Sequence, residues 1–150
     1  NGSGIFVLVK TSNPSSSELQ DQEVNGKKVY EIMAENVNKW GQEIIGERGY
    51  SSVGAVVGAT FPGQAKALRK LMPKAIFLVP GYGAQGGGAD DVVPCFNEDG
   101  RGAIVNSSRG IIFAYQNKGN DEKFALFAKE AAEQMKEDLN ASLKKAGIHL

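Results

Sequence analysis

Short runs of apolar residues recur four times along the chain, and each run ends in a polar or glycine-rich loop. Runs that are apolar throughout and rich in β-branched residues are typical of parallel strands covered on both faces, since a strand with one face in water alternates. We therefore expect the first run to be a central strand. Segments with helical spacing separate the runs, and this order predicts an α/β fold with helical crossovers. The predicted strands are residues 5–9, 51–60, 75–79 and 103–106.

Three longer segments show the apolar spacing of amphipathic helices. In residues 27–45 the apolar stripe includes Met33 and Trp40, so we expect both side chains to lie in the core rather than to contact a ligand. Residues 62–72 lie between two prolines that suit a helix start and a helix end. Residues 122–146 precede a glycine that suits a helix end.

Composition and charge then exclude several classes of function. The 150 residues carry 17 basic and 17 acidic side chains, and this balance argues against nucleic acid or a membrane surface as the main partner. The apolar runs are far shorter than the roughly 20 residues that span a bilayer. Cys95 and His149 are too few for a structural zinc site, so we expect no metal, and we expect Cys95 to be buried and unreactive. A single cysteine and the lack of a signal peptide predict a cytoplasmic protein.

A glycine-rich loop follows the third predicted strand. Pro80 and Gly81 open a turn, several glycines follow, and Asp90 and Asp91 come where a helix would begin. Glycines let an anion approach backbone N–H groups, and the start of a helix adds unpaired donors. We interpret the loop as a phosphate cradle and the aspartates as helix caps. For a glycine run taken alone, a flexible turn that binds nothing is an equally good interpretation.

A second anion signal follows the fourth predicted strand, in the residues Asn-Ser-Ser-Arg-Gly. The guanidinium of Arg109 offers a planar set of donors that fits phosphate oxygens, and Gly110 lets the backbone come close. In (β/α)8 barrels the phosphate site is often built from the loops after the seventh and eighth strands. The alternative for Arg109 is an ordinary surface ion pair.

The loop after the first strand carries a third set of polar groups. Ser12 is a candidate for a hydrogen bond to a ligand, although Ser12 and Asn13 could equally build a turn before Pro14. Lys10 lies two residues before Ser12 on the strand and should share its face. We favour a structural ion pair for Lys10 over a chemical role.

Four strand-and-helix units are present, whereas a (β/α)8 barrel has eight units in about 250 residues. The chain would therefore form a half-barrel with exposed edges at residues 5–9 and 103–106. A flavodoxin-like sheet is the alternative, but that fold places its phosphate loop after the first strand. Here the phosphate loops come last.

Four segments, GIFVLVKTSNPSS, SSVGAVVGAT, AIFLVPGYGAQGGG and GAIVNSSRGI, carry a family resemblance. In order and spacing they resemble the C-terminal half of orotidine 5′-phosphate decarboxylases of the longer bacterial subfamily. The resemblance implies strands five to eight of a TIM barrel. It also implies decarboxylation of orotidine 5′-phosphate to uridine 5′-phosphate in pyrimidine biosynthesis, without a cofactor and in a homodimer.

The resemblance also implies roles for individual residues. Ser12 would contact the pyrimidine, Gln85 and Gly86 would reach the phosphate with Gln85 also closing over the base, and Arg109 would bind the phosphate with Ser108. The substrate-binding residues so implied are Ser12, Pro80, Gln85, Gly86, Ser108 and Arg109.

The catalytic Lys and Asp network of that family lies on strands two and three, which have no counterpart in these 150 residues. Residues 1–150 are thus expected to form one partial domain, a binding half that is inactive without its N-terminal half. Two other functions stay open at this stage. One is a Schiff-base aldolase with Lys10 as the nucleophile, and the other is a phosphate-binding module without catalysis.

Overall fold

A computed structural model describes residues 2–83, 86–119 and 121–148. The strands and helices alternate largely as the apolar pattern predicts. The strands are β1 (Ile5–Lys10), β2 (Glu23–Val24), β3 (Lys27–Lys28), β4 (Val53–Val57), β5 (Phe77–Val79) and β6 (Ala103–Val105). The helices are α1 (Ser17–Gln20), α2 (Val29–Gly41), α3 (Pro62–Leu71), α4 (Ala89–Val92), α5 (Ser108–Ile112) and α6 (Phe124–Lys145).

Four of the strands form one parallel sheet in the order β1-β4-β5-β6, which confirms the predicted parallel crossovers. The two predicted edges, β1 and β6, are the edges of this sheet. The expectation that β1 is a central strand covered on both faces is therefore wrong for the described chain, and Leu8 is 63% exposed. An apolar run predicts burial on both faces, but one face of β1 has no cover in the described chain, and β1 also has a sheet neighbour on only one side.

The two faces of the sheet differ in how well they are covered. Side chains that meet in register on the covered face, such as Ala55 and Phe77, are buried beneath the helices. The next row in register runs across all four strands on the opposite face, and its side chains are half-buried or exposed. We call this second surface the bare face; it consists of Phe6, Leu8, Val56, Leu78 and Ile104.

Helix α2 packs through a different stripe from the predicted one. It buries Tyr30, Ala34, Val37 and Gly41, whereas Trp40 is 50% exposed. The expectation that Trp40 lies in the core is therefore wrong. Met33 is partly buried and packs against the core, as expected. Small side chains at the contact let the helix approach the sheet closely, and this rotates the larger residues outward.

A short hairpin lies in the segment that the sequence indicated only as a polar loop. Strands β2 and β3 pair antiparallel around Asn25 and Gly26, whose φ angles are 52° and 77°. An Asn-Gly pair with positive φ angles is the strongest short-range signal for such a turn, so the sequence did contain the information.

Two further predicted features of the fold are present. Cys95 is buried, and Gly147 follows α6 with a φ of 80°. Among the described residues, no helix combines the length and the hydrophobicity of a membrane-spanning segment. His149 lies outside the described residues.

Candidate functional site

The loops after β5 and β6 meet at one edge of the sheet. These strands are parallel neighbours, and Val79 pairs with Val105 at their carboxyl ends. A cavity of about 200 Å³ lies between the two loops. Its lining consists of residues 80–82 from the first loop and residues 106–109 from the second. The structure thus brings the two predicted anion-binding segments together around one space.

Arg109 and Ser108 line this cavity from the start of α5. Both are exposed, and within the described part of the chain Arg109 forms no ion pair with an acidic side chain. The guanidinium therefore borders the cavity with an uncompensated positive charge. That charge suits a small anion.

The glycine loop is ordered by its own backbone. The N–H of Gly83 donates to the Gly87 carbonyl at 2.8 Å, and the N–H of Gly86 donates to the Gly83 carbonyl at 2.9 Å. Gly81 has a φ of 97°, which glycine adopts readily. The turn itself therefore uses the N–H groups of Gly83 and Gly86, so in this conformation these two groups do not point at a ligand.

The loop is also pressed against its neighbour. Gly87 lies so close to the end of β4 that a Cβ atom there would sit 2.6 Å from the Cβ of Ala59. The Ala59 N–H donates to the Pro80 carbonyl at 2.9 Å. A side chain at position 87 would thus push the loop away from the sheet.

Of the two aspartates after the loop, one acts as the helix cap that the sequence predicts. The Gly88 N–H donates to the Asp91 carboxylate at 2.8 Å, so Asp91 caps the start of α4. Asp90 pairs with Lys145 at 3.0 Å, and hydrogen bonds from Ser142 and Lys145 lower its pKa. Neither carboxylate lines the cavity.

Ser107 is a site residue that the sequence reasoning missed. Its side chain is buried, and its hydroxyl donates to the Tyr82 carbonyl at 3.1 Å. Ser107 thereby links the second loop to the first. A hydroxyl directly after a strand, in the same segment as Ser108 and Arg109, was the available signal.

Tyr82 links the glycine loop to the last helix. Its hydroxyl donates to Asp138 Oδ2 at 3.3 Å. Burial and the nearby Asp138 carboxylate raise the pKa of Tyr82. The phenol therefore stays protonated, and able to donate, over a wider pH range than an ordinary tyrosine.

One buried polar atom in the cavity wall has no partner among the described residues. It is Oδ1 of Asn106, the residue that follows β6. Buried polar atoms are almost always hydrogen-bonded in folded proteins. The unsatisfied acceptor marks this wall as a place where a ligand or water would bind.

The loop after β1, which carries Ser12, lies at the other edge of the sheet. Ser12 packs against the end of β4, where a Cβ atom on Gly58 would lie 2.8 Å from the Ser12 Cβ. Lys10 is 0% exposed, and its Nζ pairs with Asp21 Oδ1 at 2.9 Å beneath the ring of Phe61. The ion-pair interpretation of Lys10 is confirmed. Because its amine is covered and paired, no observation favours an aldolase.

The predicted site residues thus fall into three groups. Pro80, Ser108 and Arg109 line the cavity. Gly86 lies in the glycine loop but outside the cavity wall, and Ser12 lies at the far edge of the sheet. Gln85 lies outside the described residues. In the described ranges no group of three or more His, Cys, Asp or Glu residues could hold a metal ion.

Comparisons with known proteins identify similar chains. Residues 1–124 match the family model described as "Orotidine 5'-phosphate decarboxylase / HUMPS family". The orotidine 5′-phosphate decarboxylase of Caldicellulosiruptor bescii is 49% identical over 140 residues, which are 93% of this chain and 46% of that protein. The protein of the same name from Rhodopirellula baltica is 52% identical over 128 residues, 85% of this chain and 41% of its own length.

A solved structure supports the same relationship. The crystal structure of an orotidine-monophosphate-decarboxylase candidate from Toxoplasma gondii matches with a TM-score of 0.74 and 32% identity, over 94% of this chain and 52% of that one. The chain spans about half the length of the curated relatives it matches. Its parallel sheet is half of the TIM barrel of these structural neighbours, as predicted.

Proposed function

The chain belongs to the orotidine 5′-phosphate decarboxylase / HUMPS family, and on that premise we propose that it supplies the phosphate- and base-binding half of an orotidine 5′-phosphate decarboxylase. The whole enzyme converts orotidine 5′-phosphate to uridine 5′-phosphate in pyrimidine biosynthesis. The observation that carries the proposal is the cavity between the loops after β5 and β6, with Arg109 on its wall. A guanidinium matches the oxygens of a phosphate group in both charge and geometry.

The nucleotide would lie along the rim of the barrel with its phosphate at Arg109 and Ser108 and its base toward Ser12. Strands β1 and β6 are separated by two strands, or about 14 Å at the usual strand spacing. A barrel closes by curving its strands, which brings these edges nearer to each other. Gln85 would close over the base, and Gly86 and Pro80 would border the phosphate end.

The bare face supports a missing partner. Exposed Leu8 and Ile104 belong to a row of apolar side chains that a monomeric protein would ordinarily bury. We propose that the four remaining strand-and-helix units cover this face and bring the Lys and Asp network. Decarboxylation needs an ammonium to protonate the carbanion left at C6, and Lys10 is already paired with Asp21. Following the family resemblance, we propose a cytoplasmic homodimer of the completed barrel.

The direct test is complementation. The loss of absorbance by orotidine 5′-phosphate is followed with this chain, with the first four units of the Caldicellulosiruptor bescii enzyme, and with both together. We expect turnover from the mixture and none from this chain. Turnover by the chain alone would contradict the proposed division of binding and catalysis.

Ligand titration tests the residue roles in the assembled barrel. Arg109→Ala should weaken uridine 5′-phosphate binding by about 2–5 kcal/mol and leave uridine almost unchanged, because it removes a charge-assisted contact to the phosphate. Gln85→Ala should cost about 1–3 kcal/mol, since it removes a neutral donor. Ser12→Ala should weaken both ligands by similar factors because it contacts the base.

The matched control is Arg101→Ala, which removes an exposed arginine before β6, at the end opposite to the cavity. It should change neither affinity. If Arg109→Ala weakened uridine as much as uridine 5′-phosphate, Arg109 would be supporting the fold and its assignment would fail.

A further inference from the structure

The two walls of the cavity come from different loops, so their separation must be fixed by something other than the local backbone. Arg109 lies at the start of α5, after β6, whereas Pro80, Gly81 and Tyr82 lie on the loop after β5. A phosphate held between them needs donors at a constant spacing, because hydrogen bonds weaken quickly with distance and angle. The contacts that tie the two loops together therefore matter to binding.

Ser107 provides the first tie. It is the residue before α5, where a serine usually accepts a hydrogen bond from the N–H groups of its own helix. Here the side chain makes no such cap and instead donates to the Tyr82 carbonyl at 3.1 Å. The space around the hydroxyl is shaped for it, since a Cβ atom on Gly110 would lie 2.5 Å from Ser107 Oγ.

Asp138 provides the second tie from outside the cavity. It stands on α6 and accepts a hydrogen bond from the Tyr82 hydroxyl at 3.3 Å through Oδ2. Its other oxygen accepts from Gln134 Nε2 at 3.0 Å, which orients the carboxylate. Tyr82 is thus held at its backbone by one loop and at its hydroxyl by the last helix.

A second cavity explains why both ties are needed. It has a volume of about 250 Å³ and lies behind the loops, bordered by Tyr82, Ser107, Met135 and Asp138. The ring of Tyr82 therefore has open space beside it, and its contact with Asp138 is what holds the hydroxyl in place.

We propose that Ser107 and Asp138 are positioning residues that hold Tyr82, and with it the glycine loop, at the distance from Arg109 that a phosphate group requires. The phosphate part of this assignment rests on the proposed function. The tie between the loop and α6 does not, because it is a property of the folded chain. Asp138 acts through Tyr82 and stands behind the loop, outside the wall of the phosphate cavity.

The test uses the chain assembled with its complementing half and compares Tyr82→Phe, Asp138→Ala and Asp138→Asn. Tyr82→Phe and Asp138→Ala should each weaken uridine 5′-phosphate about fivefold, the usual effect of one neutral hydrogen bond, and leave uridine unchanged. Asp138→Asn keeps an acceptor oxygen and should restore most of the affinity. The double variant should be no weaker than either single variant, because both remove the same contact.

The matched control is Glu137→Ala, which removes the neighbouring exposed carboxylate of α6. It should change neither ligand. Equal effects of Asp138→Ala and Glu137→Ala on the ratio of the two affinities would overturn the proposal. A purely structural role would instead weaken uridine and its monophosphate together, and this result would also overturn it.

Backbone hydrogen exchange separates this inference from the proposed function. Asp138→Ala should raise the exchange rate of residues 81–83 and 86–88 and leave the core strands unchanged, whether or not a nucleotide binds. If the wild-type assembly fails to bind uridine 5′-phosphate, the proposed function is wrong. The exchange data then still show whether the contact between Tyr82 and Asp138 holds the loop. Unchanged exchange in the loop would overturn the tie itself.

Discussion

The covered face and the bare face of the sheet are built from the same four strands but differ in how deeply their side chains are buried. On the covered face Phe77 is fully buried beneath the helices, whereas in the next row Ile104 is 52% exposed. Successive side chains of a strand point to opposite faces, so neighbours in sequence such as Phe77 and Leu78 enter different environments. The difference shows that one face of the sheet is covered within the chain, whereas the other face has no cover among the described residues.

The covered face is complete enough to hold a charged group. The Arg69 guanidinium stacks 3.5 Å above the centre of the Phe77 ring and is almost fully buried. Burial lowers the pKa of Arg69 to about 10. Its N–H groups donate to four backbone carbonyls, which belong to Met72, Ala75, Cys95 and Gly102. A buried charge is tolerated here because its donors are satisfied.

The largest difference between the faces should appear on truncation of one side chain from each. Phe77→Ala should lower the free energy of unfolding by about 3–5 kcal/mol, since it leaves a cavity in a packed core. Leu8→Ala should change it by less than about 0.5 kcal/mol in the chain alone, because the side chain already faces water. Urea unfolding followed by circular dichroism measures both.

The same pair sharpens the comparison once the barrel is completed. With the complementing half bound, Leu8→Ala should become costly, about 2–5 kcal/mol, because the side chain is then buried. Equal costs for Leu8→Ala in the free and the assembled chain would show that the bare face is not the interface.

A smaller effect is expected from the charged group in the covered face. Arg69→Met should cost about 2–3 kcal/mol, because backbone carbonyls lose their donors while the new side chain still fills much of the space. Lys70→Met, at the exposed neighbouring position, serves as the control and should stay within about 0.5 kcal/mol. The measurement is again urea unfolding, and equal costs at both positions would contradict the role given to Arg69.

The bare face should also drive association of the chain with itself. Unpaired strand edges and exposed apolar side chains favour pairing with another chain, or a partly molten state. Replacing both Leu8 and Ile104 by lysine should shift light scattering toward the monomer, whereas Ala132→Lys on the exposed side of α6 should not. A wild-type chain that is a monodisperse monomer with a sharp melting transition would contradict this expectation.

The smallest effect concerns pH and Cys95, in the core on the covered side. Burial raises the pKa of the Cys95 thiol to about 12 from an ordinary 9.0. The unfolded chain therefore loses this proton at lower pH than the folded chain, and the free energy of unfolding falls as pH rises above 9. Between pH 8 and pH 10 the loss should be about 1 kcal/mol, and Cys95→Ala should remove it.

An opposing effect enters near pH 10, and the comparison with Cys95→Ala removes it because both proteins carry Arg69. The lowered pKa of Arg69 makes the folded chain lose its proton first, so above pH 10 this group raises stability as pH rises. Chemical denaturation of the wild type and Cys95→Ala at pH 8, 9 and 10 gives the difference directly. If the free energy of unfolding fell equally steeply with pH in both proteins, the Cys95 thiol would ionise equally in the folded and the unfolded chain.

Much of the fold could be predicted from local pattern. The apolar runs at residues 75–79 and 103–106 contain the observed strands Phe77–Val79 and Ala103–Val105, and the prolines around residues 62–72 bound α3. The Asn25-Gly26 pair likewise predicts a hairpin, although the polar composition of this segment indicated only a loop. These features are set by residues close to each other in sequence, so the backbone preferences of a few positions decide them.

The candidate site could be predicted less well. The sequence pointed to Arg109 and the glycine loop, and the structure places both loops around one cavity. It could not show that the Gly83 and Gly86 N–H groups are used within the turn, or that Ser107 reaches across to Tyr82. Those contacts depend on how two loops from different strands approach each other.

What the sequence determined by itself is the alternation of parallel strands and helices and the placement of glycine, hydroxyl and guanidinium groups after the last two strands. Only the tertiary structure decided which side of each element is buried. Trp40 faces water because the smaller Ala34 and Gly41 fit more closely against the sheet. Leu8 faces water because its side chain points to the bare face and β1 is also an edge strand of the sheet. Apolar spacing indicates which residues prefer burial, but a side chain is buried only when a second surface covers it. The position of that surface depends on contacts between residues far apart in the chain.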